Sequence, residues 1–387
     1  MPNAAVSRLV LADYSDPLVT DTARSALAEI GGRVSCGVVF CSADYRDHLP
    51  DFLEALQLHA HIPVIVGCSG SGLIGTGLET ENARGFSLLL MHLPGTTLHP
   101  FTLSEGGTPA LDDGTGWRET SGTAASEAWL LLADPNSVPI EPWLAAWTEA
   151  FPGTPCFGGL ASGGSDGGDT FVFRDRELIA GGGVALGFQG GVKIHTLVSQ
   201  GCRPIGDPLP VTAVEQNIIQ SLGARPAFKV LDEAFQSLSD REKQRARGNL
   251  FAGLAIREDI EEFHRGDFLI RNILGADESS GGVAVGAMPR VGQTVQWQLR
   301  DAKAADEDLQ FMAKRMAAKE VKPFASLVFS CGGRGRMLFG APNHDAAVIA
   351  DSFSPHPSAG CFCNGEIGPV GGRNFVHGYT ASIALFE

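Results

Sequence analysis

The chain has 387 residues, of which 44% are hydrophobic and 19% charged, a balance typical of a globular protein with two or more domains. Asp and Glu total 44 against 29 Lys and Arg, a formal net charge of −15. Because nucleic acids and anionic membranes attract basic surfaces, this charge argues against both as partners. The apolar runs are shorter than the ~20 residues of a membrane helix, and the N-terminus does not resemble a signal peptide. We therefore expect a cytoplasmic protein.

A pattern of strand, helix, strand and strand occurs three times along the chain. Each copy has an apolar strand, a helix with apolar residues at helical spacing, a strand that ends in glycines, and another apolar strand. The glycine-ended strands are predicted at residues 63–69, 155–161 and 358–363. Since the strands are apolar on both faces, we expect an α/β fold of mixed, largely buried sheets covered by helices.

The residues between the second and third copies predict further elements. An amphipathic helix is predicted from four apolar residues at helical spacing: Val211, Val214, Ile218 and Leu222. The stretches FLIRNILG, GGVAVG and TVQWQLR predict strands, and a helix is expected over 302–318. The Pro- and Gly-rich CRPIGDPLP predicts a domain boundary near 205–215. This boundary gives an N-terminal module at 30–210 and a C-terminal module at 215–387.

Two glycine motifs match signatures of known sites but lack the elements that those sites need. Gly70-Ser-Gly72-Leu-Ile-Gly75 matches the dinucleotide fingerprint, yet a strand follows it instead of a helix. Ser165 in GGSDG matches the hydrolase elbow, yet it lies among glycines before a strand. Neither motif predicts its usual site. Glycine-rich strand ends in three equivalent places indicate instead one or two clefts where a ligand binds.

The chain has eight cysteines, and we expect all of them to be reduced thiols without a disulfide. Cys361 and Cys363 lie two residues apart on a predicted strand, so their thiols could share a face and bind a metal. No second pair of metal ligands is spaced near them, and paired spacings are what make zinc sites recognisable. We therefore predict no metal site.

Cys331, in SCGGRGR, is the best candidate for a catalytic nucleophile. It ends a predicted strand, and Arg334 and Arg336 could lower its pKa, with His344 or His377 as the base. Alternatively, Cys331 packs against its neighbours and the arginines recognise a ligand. We favour this second interpretation, which predicts binding without catalysis.

Charged residues in apolar or glycine-rich surroundings predict the binding site. Glu366 lies among apolar residues and needs a partner, and Arg334 is suited to pair either with Glu366 or with a carboxylate of a ligand. Arg203 and Arg271 have similar settings. An arginine donor with Asn364 and Glu366 as acceptors can recognise both ends of a small zwitterion. The predicted ligand-binding residues are Arg203, Arg271, Arg334, Asn364, Glu366 and Cys331.

Several of these stretches together resemble the FIST (F-box and intracellular signal transduction) family. The resemblance is carried by QGCRPIGDPLPVT, FLIRNILGAD with GGVAVG and VGQTVQWQLRDA, SCGGRGRMLFG, and the final AGCFCNGEIGPVGGRNFVHGYTA. It covers nearly the whole chain, with a FIST N-terminal-like module followed by a FIST C-terminal-like module. The C-terminal motifs are the more specific ones.

The resemblance implies a sensory protein that binds a small molecule, with amino acids or related metabolites as the proposed ligands of the family. Some bacterial members are proposed to bind haem and to sense nitric oxide beside a histidine kinase, and eukaryotic relatives are joined to an F-box. If this chain binds haem, candidate ligands of the iron are His344, His356 and His377. No kinase or F-box segment is visible in the sequence, so we expect a standalone sensor that signals through a separate protein partner, such as a histidine kinase.

Overall fold

The computed structural model describes residues 2–104, 114–123, 125–163, 170–179, 181–260, 262–264 and 266–387. The chain divides into two compact units: a core unit, Met1–Val198 with Leu309–Val376 and Thr380–Glu387, and an inserted unit, Ser199–Asp308 with His377–Tyr379. The predicted α/β fold class with several mixed sheets is confirmed. The modules 30–210 and 215–387 stay a prediction about the sequence, because the spatial units divide the chain at other places.

The first repeat of the core unit begins with a strand and a helix that precede the predicted pattern. Its elements are β1 (Ala4–Val10), α1 (Asp16–Ile30), β2 (Cys36–Cys41), a 3₁₀ helix (Ala43–His48), α2 (Leu49–Ala60), β3 (Ile65–Ser69), β4 (Gly72–Gly75), β5 (Leu78–Glu81) and β6 (Phe86–His92). Gly72 and Gly75 of the dinucleotide-like motif lie in β4, and strands follow them as predicted, where a pyrophosphate site would need a helix.

The second repeat has the same order of elements. They are β7 (Thr97–Ser104), α3 (Gly114–Ser121), β8 (Ala128–Ala133), α4 (Ile140–Ala150), β9 (Cys156–Leu160), β10 (Val172–Arg174), β11 (Glu177–Ile179) and β12 (Gly182–Gln189). Ser165 of the hydrolase-like motif lies outside the described residues.

The third repeat is interrupted by the inserted unit. It starts at β13 (Ile194–Gln200), and the inserted unit supplies β14 (Cys202–Glu215), β15 (Ile218–Leu222), β16 (Arg225–Pro226), α5 (Ala227–Gln236), α6 (Asp240–Ala246), β17 (Leu250–Ala255), β18 (Phe268–Asp277), β19 (Gly282–Val285) and β20 (Thr294–Arg300). The repeat continues with α7 (Ala302–Ala318), β21 (Ala325–Cys331), α8 (Gly335–Phe339), α9 (His344–Ser352), β22 (Ser358–Cys363), β23 (Glu366–Val370), β24 (Arg373–His377) and β25 (Thr380–Phe386).

Each repeat builds its sheet around one apolar strand. In the first repeat, β2 pairs in parallel with β3 across α2 and antiparallel with β6. β8 pairs in the same way with β9 and β12, and β21 with β22 and β25. These strands are buried on both faces, which explains their lack of alternation in the sequence. The predicted strand-helix-strand-strand unit is therefore confirmed in all three copies.

The repeats of the core unit exchange their hairpins. The β10–β11 hairpin of the second repeat extends the sheet of the first by pairing with β3. β23 of the third repeat pairs with β9 of the second, and β4 of the first pairs with β22 of the third. Each sheet of the core unit is thus completed by a hairpin from another repeat. The strands that receive these hairpins are β3, β9 and β22.

The inserted unit is an antiparallel sheet in the order β14-β20-β17-β18-β19-β15-β16, which closes through a further β14–β15 pairing. The helix predicted from Val211 to Leu222 is wrong, because these residues form the β14–β15 hairpin. Val211 lies opposite Leu222, and irregularities in β14 near Ala213 break the alternation expected of a strand. Residues 205–215, where the sequence predicts a module boundary, lie in β14, and the division into two modules stays a prediction.

Among the described residues, no helix is both long enough and apolar enough to span a membrane.

Candidate functional site

The three glycine-rich strand ends meet in the core unit, and Ser162 joins them. Its hydroxyl accepts the N–H of Ser71 at 2.9 Å and donates to the carbonyl of Phe362, while its own N–H donates to the carbonyl of Ser69. Ser69 and Ser71 follow β3, Ser162 follows β9, and Phe362 lies in β22. One buried serine therefore contacts the strand ends of all three repeats.

Glycine is required here because the strand ends approach each other closely. A Cβ atom at Gly159 would lie 2.4 Å from the Sγ of Cys363, and one at Gly70 would lie 2.7 Å from the Cβ of Cys361. Both contacts are shorter than carbon and sulfur atoms tolerate. Gly70 and Gly159 therefore allow the cysteines of β22 to pack closely against the first and second repeats.

The cysteines of β22 are buried thiols. The Sγ atoms of Cys361 and Cys363 lie 3.6 Å apart, and burial raises the pKa of both. None of the eight cysteines, all of which lie in the described part of the chain, forms a disulfide. Among the described residues, no group of three or more Cys, His, Asp or Glu side chains is arranged to hold a metal ion.

Arg334 forms a buried ion pair with Asp345, a residue that the sequence pattern did not indicate. The Nε of Arg334 donates to Oδ2 of Asp345 at 2.7 Å, and Nη2 donates to Oδ1 at 2.8 Å. Both side chains are only 1% exposed. Ser330 donates to Asp345 at 2.6 Å, and Nδ1 of His344 lies 3.0 Å from its Oδ1. The protein carboxylate that pairs with Arg334 is therefore Asp345, and not Glu366.

Electrostatics keep both members of this pair charged. Burial opposes ionisation of Asp345, but Arg334, His344 and Ser330 outweigh it and hold the pKa of this carboxyl well below its usual range. Burial likewise disfavours the charge of Arg334, but Asp345 outweighs it and raises the pKa of the guanidinium. The guanidinium also lies over the ring of Phe339, with Cζ 5.3 Å from the ring centroid.

Glu366 is fully buried at the start of β23. Its Oε2 accepts hydrogen bonds from Thr380, from the hydroxyl at 2.8 Å and from the backbone N–H at 3.2 Å. Burial raises the pKa of Glu366 to about 8, although Thr380 and the charge of Arg334 act in the opposite direction. Burial therefore favours the protonated form of this carboxyl.

Arg334 and Glu366 each keep one buried polar atom without a hydrogen-bond partner among the described residues. These atoms are Nη1 of Arg334 and Oε1 of Glu366. The two residues interact electrostatically, yet the ion pairs of the described residues do not include one between them. An unsatisfied buried polar atom costs about 1–3 kcal/mol, and more when it is charged. A ligand that supplied both partners would remove this cost.

The other predicted site residues divide between the two units. Cys331 and Asn364 lie in the core unit, at the ends of β21 and β22. Cys331 is partly buried, and its Sγ accepts the N–H of Gly333 at 3.4 Å. The side chain of Asn364 is exposed. Arg203 and Arg271 belong to the inserted unit.

Both arginines of the inserted unit are partly buried and engaged by protein groups. Arg203 forms ion pairs with Glu242 and, at 3.8 Å, with Asp301. Nη1 of Arg271 donates to the carbonyl of Ile270 at 3.1 Å. In the core unit, Cys331 lies opposite Cys363, the residue before Asn364, and Arg334 interacts electrostatically with Cys331 and Glu366. Arg203 and Arg271 have local partners in their own unit.

The three candidate haem ligands have different surroundings. His344 lies beside Asp345 and stacks on Phe339, with ring centroids 3.4 Å apart. The ring nitrogens of His356 lie 2.9 Å from the carbonyl of Ser354 and 3.2 Å from the hydroxyl of Ser326, and burial lowers its pKa. His377 is buried and belongs to the inserted unit.

Sequence reasoning missed three residues that build this site: Asp345, Thr380 and Ser162. Asp345 is the second residue of α9. An acidic residue in the first turn of a helix is common because it interacts favourably with the helix dipole, so its position does not indicate a buried ion pair. Thr380 begins β25 and looked like an ordinary strand residue. The position of Ser162 after a glycine-rich strand end indicates a place in the cleft, but the sequence does not distinguish this serine from its neighbours.

The family comparison covers most of the chain. Residues 35–225 match the FIST N domain, and residues 227–369 match the FIST C domain. An uncharacterised protein of Mycobacterium tuberculosis is 38% identical over 365 residues, which are 94% of either chain. An uncharacterised protein of Mycobacterium bovis is 36% identical over 381 residues, which are 95% of this chain and 96% of the relative.

Two further similarities are more limited. An F-box/LRR-repeat protein of Arabidopsis thaliana is 34% identical over 90 residues, 21% of this chain and 17% of that protein. Among solved structures, a cyanuric acid hydrolase of A. caulinodans aligns over 100% of this chain and 99% of its own, with 8% identity and a TM-score of 0.36.

Proposed function

The chain belongs to the FIST family, whose domains are associated with sensory signalling and ligand binding, and on this premise we propose that it senses a small zwitterion such as an amino acid. In this proposal the protein binds its ligand without transforming it. The signal passes to a separate protein partner. The cytoplasmic location expected from the sequence stays a prediction.

The observation that supports this proposal is the pair of unsatisfied buried atoms in the core unit. Nη1 of Arg334 is a donor on a permanent cation, and Oε1 of Glu366 is an acceptor once the carboxyl is ionised. A carboxylate would accept from Nη1, and an ammonium group would donate to Oε1. A small zwitterion carries both groups on one molecule.

The Asp345 pair makes Arg334 a rigid donor. With Nε and Nη2 both bound to Asp345, the planar guanidinium has one orientation, so Nη1 points in a fixed direction. A donor that is already immobilised loses little conformational entropy when a ligand binds. Asp345 thus acts as a positioning residue for Arg334.

The raised pKa of Glu366 gives ligand binding a pH signature. Burial favours the protonated carboxyl, whereas an ammonium group beside it would favour the ionised form. Binding of an ammonium group at neutral pH should therefore release a proton from Glu366 and tighten as the pH rises towards 8.

The remaining predicted residues have weaker support. The exposed side chain of Asn364 and the partly buried Cys331 are available at the strand ends, and we propose that they contact the outer part of the ligand. Ligand binding by Arg203 and Arg271 stays a prediction, and their local partners provide a structural role for them. The haem and cysteine-nucleophile alternatives also stay predictions, tested by the colour of the purified protein and by a thiol-reactivity profile.

The proposal is tested by thermal melting of the protein with each of the standard amino acids. We expect at least one of them to raise the melting temperature of the wild type, and Glu366→Gln to abolish this rise. Glu79→Gln is the matched control, because Glu79 is also a buried glutamate with a raised pKa, but its Oε1 accepts the N–H of Ala346 at 2.8 Å. The proposal fails if no amino acid stabilises the wild type, or if the rise survives in Glu366→Gln.

A further inference from the structure

The inserted unit contains a groove of about 360 Å³ that the proposed function does not use. Its walls come from α5, from the residues that follow α6, and from β17 and β18. The lining residues that carry the argument are Phe228, Leu231, Phe235, Leu250, Ile273 and Arg247. All of them lie within the inserted unit.

The floor and walls of the groove are apolar but incompletely covered. Leu231 is buried, whereas Phe228, Phe235, Leu250 and Ile273 pack against the core of the inserted unit and stay partly exposed. Isolated exposed apolar residues are ordinary on protein surfaces. Here they surround one concave volume of the size that small-molecule sites have. An apolar body placed in it would gain contacts with two aromatic rings.

One basic residue, Arg247, lies at the groove, and it ends a basic segment of an otherwise acidic protein. α6 and the residue that follows it carry four basic residues: Arg241, Lys243, Arg245 and Arg247. The acidic residues of this segment, Asp240 and Glu242, lie in its first turn, and Glu242 is held by Ser239 and Arg203. Arg247 lies at the groove itself and forms no ion pair with the described residues.

One acidic residue, Asp232, also lines the groove. Its Oδ1 accepts a hydrogen bond from Nε2 of Gln236 at 3.1 Å, which orients the carboxylate and leaves its charge in place. The groove therefore combines apolar walls with one guanidinium and one carboxylate, and the guanidinium is the group that attracts an anion. Guanidinium groups recognise carboxylates in a two-pronged geometry.

We propose that this groove binds a small organic anion with an apolar body, such as an aromatic or medium-chain carboxylate, with the anionic group on Arg247. This site is independent of the Arg334 and Glu366 site, and the proposal does not rest on the proposed function. It assigns a role to Arg247, the last residue of the basic segment 241–247.

The test uses 1-anilinonaphthalene-8-sulfonate, a fluorescent probe that combines aromatic rings with one negative charge. We expect saturable binding of the probe to the folded wild type. Arg247→Gln should lower the affinity about tenfold, because it removes one charge-assisted contact. Arg245→Gln is the matched control, since Arg245 is exposed on the same helix but does not line the groove. It should change the affinity less than about twofold.

A competition experiment on the wild type keeps the proposal testable without any variant. Octanoate should displace the probe, and octanol, which has the same chain length without the charge, should displace it far less. Equal displacement by both, an affinity unchanged in Arg247→Gln, or no saturable binding would each overturn the proposal. So would light scattering that shows a wild-type dimer and a Phe235→Glu monomer, because the groove would then be covered by a second copy of the chain.

Discussion

Arg334 and Asp345 form a two-pronged ion pair in the core unit, with N–O distances of 2.7 and 2.8 Å and both side chains almost fully buried. The two residues lie 11 positions apart in the chain, and α8 lies between them. The pair fixes the arginine at the end of β21 and leaves its Nη1 free of protein partners among the described residues. The stability of the core unit and the orientation of the proposed site thus depend on the same carboxylate.

Asp345→Asn should destabilise the protein strongly. It leaves the charge of Arg334 buried without compensation, and breaking a buried pair in this way costs roughly 3–5 kcal/mol in the free energy of unfolding. Asp351→Asn, an exposed change on the same helix, should cost less than about 0.5 kcal/mol. Urea unfolding of the two variants measures the difference, and equal stabilities would contradict the role given to the pair.

Stability should fall as the pH rises from about 4.5 to 8. Burial raises the pKa of Glu366 to about 8 and that of Glu79 to about 7, from 4.5 in the unfolded chain. In this window the folded protein holds protons that the unfolded chain has released, so each carboxyl contributes stability below pH 4.5 and loses it as the pH passes its folded pKa.

Melting temperatures across this pH range, without ligand, test that expectation. Glu366→Gln should make the decline shallower, because it removes one of the two carboxyls that hold a proton in this window. A Glu366→Gln profile parallel to that of the wild type would show that Glu366 titrates normally.

Ser162→Ala should destabilise the meeting point of the three repeats. The change leaves the N–H of Ser71 and the buried carbonyl of Phe362 without the hydroxyl that they share, at a cost of about 1–3 kcal/mol. Ser25→Ala is the control, because Ser25 is exposed and its hydroxyl bonds only within its own helix. If chemical denaturation shows the same stability for both variants, Ser162 does not join the strand ends as described.

Thiol titration should find eight reactive groups in the denatured, unreduced protein. In the native protein, the thiols of Cys361 and Cys363 should react slowly, because burial excludes the reagent and raises their pKa. Cys331 is only partly buried and should react first. A count of six in the denatured protein would reveal a disulfide.

The parts of the fold that could be predicted are those whose cause is local in the sequence. β3, β9 and β22 were predicted because strands buried on both faces need continuous apolar runs, and α2 because its buried face repeats at helical spacing. The β14–β15 hairpin was mispredicted because a bulged strand can place apolar residues three or four positions apart. The spacing of apolar residues alone does not distinguish such a strand from an amphipathic helix.

The site shows a second limit of sequence reasoning. The burial of Glu366 could be predicted, because its neighbours in the chain are apolar. Its contacts depend on how distant elements pack. Thr380, which donates a hydrogen bond to Glu366, is positioned by β25, and Asp345, which pairs with Arg334, is positioned by α9. The exchange of hairpins between repeats is also a property of the three-dimensional fold, and the sequence of one repeat contains no sign of it.

The most direct test of the central claim is a crystal structure of the protein with the amino acid that stabilises it most. The claim predicts the ligand carboxylate within about 3 Å of Nη1 of Arg334 and the ammonium group at the same distance from Oε1 of Glu366. A ligand bound elsewhere, with these two atoms still lacking a partner, would contradict it.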